Sequence, residues 1–147
     1  MAKSKLTGVY TGKLKVEYID GNMWKLDQST NPLTLKMCTD SEYFEVTPKH
    51  GFIFDFASIP PVVRALYKKP GTGKDDGRYG RAACIHDWLY SYPPEWCTRK
   101  LADRIFLLGM ELDEVRPTMR SLFYRVVRMF GGVCYGKPSK LNKLRKK

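Results

Sequence analysis

A chain of 147 residues with 26 Lys and Arg against 15 Asp and Glu carries a formal net charge of +11. That length fits one domain with a real core, and 43% hydrophobic with 13% aromatic content excludes a disordered chain. No apolar run approaches the ~18–20 residues of a membrane span, and the charged start, Met1-Ala2-Lys3-Ser4-Lys5-Leu6, predicts no signal peptide.

The first sixty residues read as strands. Residues 13–19 alternate at period two, and Asp20-Gly21 is a hairpin turn signal before a returning strand at Met23-Trp24-Lys25-Leu26. Residues 33–37 and 43–47 are two more alternating runs, and Phe52-Ile53-Phe54 is a short apolar strand. Pro61 suits the first turn of a short helix over 61–67, followed by a glycine-rich polar loop over 68–78. A helix is predicted over 79–91, ended by Pro93-Pro94. Thr98 is the expected N-cap of the next, which runs to about Leu112. A third starts near Pro117 and ends at Gly131-Gly132. Its apolar stripe is Leu122, Phe123, Val126, Val127 and Phe130, with Arg116, Arg120, Arg125 and Arg128 on the broad opposite arc. The expected class is α+β, with a small antiparallel N-terminal sheet packed on a three-to-four-helix C-terminal part. The expected organisation is one domain over 1–136 and a basic, disordered tail over 137–147.

The charge is uneven. Residues 1–60 hold seven lysines and seven acids, residues 61–136 hold 13 basic and 8 acidic side chains, and residues 137–147 hold six basic and none acidic. Such asymmetry suggests an anionic partner, or else a tail that only keeps the protein soluble. The four cysteines, Cys38, Cys84, Cys97 and Cys134, show no zinc-like spacing with His50 and His86. Free thiols in a reducing compartment are expected, with a Cys84–Cys97 crosslink left open.

Chemistry is most legible around Pro93-Pro94. His86 and Asp103 stand at almost equal distances from that turn, so an antiparallel helical hairpin places them level on facing helices. Both share a face with apolar neighbours three and four residues away, and a buried carboxylate needs a partner. Two readings stay open. The pair staples two helices, or Asp103 orients His86 so that its other ring nitrogen is a general base. Asp87 points about 100° away on the helix and could bind a hard cation or cap a neighbouring group. Asp55 caps the helix near Pro61 or faces the pair and joins a divalent-metal site, and Ser58 is a helix cap or a weak nucleophile candidate.

The stretch Ala82-Ala83-Cys84-Ile85-His86-Asp87-Trp88-Leu89-Tyr90 resembles the active-site helix of secreted and viral phospholipase A2, Cys-Cys-x-x-His-Asp-x-Cys-Tyr. Ala82, Ala83 and Leu89 stand where disulfide cysteines would be, and Ala102-Asp103-Arg104 is similar to that family's Cys-Asp-Arg motif. The resemblance implies His86 as general base, Asp103 as its orienting partner, Tyr90 bonded to that carboxylate and Asp87 as a calcium ligand. The chain departs from the family at its calcium loop, for which residues 71–77 are only a loose counterpart.

A longer resemblance runs through Gly51-Phe52, Asp55-Phe56-Ala57-Ser58-Ile59-Pro60, Ala82-Ala83, His86-Asp87-x-Leu89-Tyr90 and Ala102-Asp103-x-x-Phe106. This ordered set is similar to a domain-of-unknown-function family of tailed bacteriophages and prophages. It implies a phage-associated protein of the host cytoplasm or the virion, without a settled activity. The functional expectation is therefore an ester hydrolase built on the His86–Asp103 dyad, with or without a divalent cation such as calcium. The alternative is a non-enzymatic virion, tail or host-interaction protein. The partners expected are an anionic membrane held by Arg116, Arg120, Arg125, Arg128 and the tail, or a phage structural protein. Nucleic acid ranks behind both, for want of a recognisable binding motif.

Overall fold

Alternating sequence in the first half becomes short strands, and 3.6-residue periodicity in the second becomes helices. The structure is a computed structural model that describes residues 4–20, 23–54 and 79–138. Its strands are β1 (Thr7–Thr11), β2 (Val16–Asp20), β3 (Met23–Leu26), β4 (Thr34–Cys38), β5 (Tyr43–Val46) and β6 (Ile53–Phe54). Its helices are α1 (Gly80–Ser91), α2 (Arg99–Leu112) and α3 (Pro117–Phe130), and a 3-10 turn follows at Gly131–Val133. The class is α+β. The expected helix over 61–67, the loop over 68–78, Asp55, Ser58 and residues 139–147 of the tail lie outside the described residues.

The strands form two antiparallel sheets, in the orders β1-β4-β5 and β2-β3-β6, where the sequence suggested one. In the first, Leu35 pairs with Val46 and Met37 with Phe44, which puts the alternating apolar side chains on one face. That face packs with Ile85 and Leu89 of α1 and with Ala102 and Ile105 of α2. Leu26 and Phe54 of the second sheet, with Phe52 just before β6, pack instead with Ala82, Ala83, Phe106 and Phe123. The α1–α2 hairpin thus lies between two apolar clusters. This explains why nine of the twelve residues of α1 are buried, His86 and Asp87 among them, since a helix covered on several sides needs no polar face.

Three local expectations change. β1 is an added strand, and its Gly8 is required by close packing. A Cβ there would lie 2.8 Å from the Lys36 carbonyl oxygen and 3.2 Å from Leu108. The 13–19 run pairs with β3 only from Val16, because the partner strand ends at Leu26. On α3, Phe123, Val126 and Val127 are buried, but Leu122 is half-buried and Phe130 is exposed. Past the end of α3 the backbone of Gly131 backs onto α1: a Cβ at 131 would sit 2.5 Å from the Tyr90 hydroxyl. Cys84 and Cys97 are free thiols and do not crosslink.

A candidate site centred on Asp103

Each helix of the hairpin starts or stops where its sequence says. Thr98 Oγ1 accepts the Leu101 N–H at 3.1 Å and caps α2. Pro117 opens α3 at its first turn. The hairpin then places His86 and Tyr90, one turn apart on α1, against Asp103 on α2.

Asp103 is 0% exposed and His86 1%. His86 Nε2 lies 2.8 Å from Asp103 Oδ1, and the Tyr90 hydroxyl donates to the same oxygen at 2.6 Å. On the other side, Arg128 Nη1 of α3 donates to Oδ2 at 2.8 Å. Arg99 Nε is 4.0 Å from Oδ2, and its Nη2 donates to the Arg128 carbonyl. The imidazole is packed between Phe106, with ring centroids 4.6 Å apart, and Tyr90 at 4.2 Å. Asp103 therefore receives donors from two neighbouring helices, and both its oxygens are engaged.

The electrostatics follow from that geometry. Burial works against charge on Asp103, but the bonds from His86, Tyr90 and Arg128 outweigh it and hold the carboxyl below its ordinary range. Burial lowers the basicity of His86, and the carboxylate only partly restores it. Burial and the bond to Asp103 push the Tyr90 hydroxyl well up, so it stays a donor. A neutral imidazole facing a carboxylate through Nε2 carries its proton there, leaving the Nδ1 lone pair. Nδ1 faces Asp87, whose Oδ1 is 4.0 Å away, beyond hydrogen-bond reach.

The other expected site residues are placed differently. Asp87 is buried beside His86, while Asp55 lies outside the described residues. Among the described residues no three His, Cys, Asp or Glu side chains gather where they could hold a metal ion. The four arginines are not one free set either. Arg116 and Arg125 are exposed, Arg120 Nη1 donates to the Val115 carbonyl at 3.0 Å, and Arg128 is bound to Asp103. The sequence reading missed Arg99, although its place four residues before Asp103 is the helical spacing of an ion pair. For Arg128 the sequence offers no such signal.

The model of the DUF1353 family, described as a protein of unknown function, matches residues 31–127. The chain belongs to this family. The matched stretch holds β4, β5, β6, α1 and α2 with His86, Tyr90 and Asp103, and stops one residue before Arg128. No curated protein and no solved structure matches the chain. Among the described residues no helix is long and apolar enough to cross a membrane.

Proposed function

We propose that this member of the DUF1353 family is an ester hydrolase in which His86 is the general base and Asp103 its orienting partner. In this reading His86 Nδ1 takes a proton from a water as its oxygen attacks the ester carbonyl carbon. The imidazolium is stabilised by Asp103, and on collapse of the tetrahedral intermediate Nδ1 returns the proton to the leaving alkoxide. Tyr90 and Arg128 keep the Asp103 carboxylate ionised and fixed. One observation carries the reading. Tyr90 alone already ties α1 to Asp103, so what His86 adds is a neutral ring of fixed tautomer with its basic nitrogen unspent on that carboxylate.

The near-complete burial of His86 and Asp103 favours a second reading. In it the network is a staple between helices in a non-enzymatic phage virion or host-interaction protein, whose partner is a phage structural protein. The phage setting, in host cytoplasm or virion, rests on the motif resemblance described above.

The two readings separate in one experiment. His86→Gln keeps a donor toward Asp103 but lacks the basic nitrogen. It is expected to lose turnover on a panel of carboxylic and phospholipid esters, assayed with and without calcium, while circular dichroism and thermal midpoint stay near wild type. A wild-type protein without turnover on that panel, or a variant that unfolds, leaves the staple and removes the hydrolase.

A further inference from the structure

The surface of α3 holds a feature that Asp103 does not use. Met129, Phe130 and Val133 are 72%, 54% and 73% exposed, at the end of α3 and in the 3-10 turn that follows. Arg125 stands one helical turn before Met129 on the same stripe, also exposed. No acidic residue occurs in α3, and the sequence that follows Gly136 carries six basic side chains and no acid. Single exposed apolar side chains are ordinary, but several exposed together mark an interaction surface. Here three stand exposed within residues 129–133, with the exposed Arg125 one turn before them.

We infer that this end of α3 is a docking surface for an anionic lipid bilayer, with Met129, Phe130 and Val133 entering the boundary between headgroups and acyl chains. Arg125 meets the lipid phosphates, and the basic segment adds long-range attraction. Charge complementarity selects an anionic occupant. The three apolar side chains favour lipid over nucleic acid, because a phosphate backbone offers Met and Val nothing to bury against. This surface does not depend on the hydrolytic reading, since attachment is measured without turnover.

Sedimentation of the full chain with vesicles tests it. The protein is expected to pellet with phosphatidylcholine–phosphatidylglycerol vesicles and not with phosphatidylcholine alone. The triple variant Met129→Ser, Phe130→Ser, Val133→Ser is expected to partition roughly 100-fold more weakly, and Arg125→Gln roughly fivefold more weakly. Unchanged thermal midpoints show that these exposed positions leave the fold intact. Equal partitioning of wild type and triple variant overturns the proposal, because attachment is then by charge alone. Self-association that the triple variant abolishes also overturns it, by assigning the patch to a second copy. So does binding to duplex DNA that matches binding to the mixed vesicles and is indifferent to the triple variant.

Discussion

An enclosed carboxylate keeps its charge only if donors replace the water it has lost, and Asp103 has three: His86, Tyr90 and Arg128. The pH consequence follows from direction. Burial lowers the folded-state pKa of His86, and the donor bonds, overcoming burial, lower that of Asp103. Both groups therefore take up protons more readily when unfolded, near pH ~6.5 for histidine and ~3.9 for aspartate. Their contribution to stability is complete above about pH 6.5. It declines as pH falls, first through His86 and then through Asp103. Urea denaturation across this range is expected to show that decline, and His86→Gln to flatten its upper part. Superimposable wild-type and variant profiles between about pH 6.5 and 5 would refute it. At this scale the pairing of His86 with Asp103 was legible, because distance from a turn and the need to pair a buried charge both point to it. Arg128 was not, since helical periodicity places it on an arc without saying which neighbour that arc meets.

The end of α2 shows how an element can be closed by an unfavourable residue. The Val115 N–H bonds the Met110 carbonyl and the Glu114 N–H the Glu111 carbonyl, while Glu114 takes φ +59°. This is the Schellman arrangement, completed by Val115 and Met110 in the same apolar cluster. Glycine suits the left-handed position, whereas glutamate bears a steric cost there. Glu114→Gly is therefore expected to stabilise the protein by about 1 kcal/mol, read as a higher urea midpoint at unchanged slope. The starts of α2 and α3 were legible through Thr98 and Pro117, because caps are short-range chemistry. β1 was not, since Gly8 weakens the strand signal for a reason that lies in Lys36 and Leu108, far along the chain.

Across the whole molecule, the first sheet and the helices are tied by a cation. Arg81 of α1 stacks over the Tyr10 ring of β1 at 4.1 Å, and its Nε donates to Asp113 Oδ1, just past α2, at 2.9 Å. Burial raises the Asp113 carboxyl pKa, and Arg81 opposes that shift. Arg81→Met leaves the carboxylate buried without its cation. A loss of about 2 kcal/mol is expected at neutral pH, less than for a fully buried pair because Arg81 is partly exposed. The sign is set by the raised folded-state pKa: stability is retained where Asp113 is protonated and lost as pH rises. The variant should therefore be closer to wild type at about pH 5 than at about pH 8 when denaturation is followed at both. The α+β class was legible from periodicity. The division into two sheets was not, because strand pairing is decided between segments distant in sequence, and alternation carries no address for its partner.

The three donors of Asp103 also impose an order on synthesis. A ribosome releases Asp103 well before Arg128, so a nascent α1–α2 hairpin that closed early would enclose an anion that still lacks its nearer cation, with only Arg99 at 4.0 Å beside it. The hairpin has reason to stay loose until α3 emerges. The last helix is then what commits the chain to its fold.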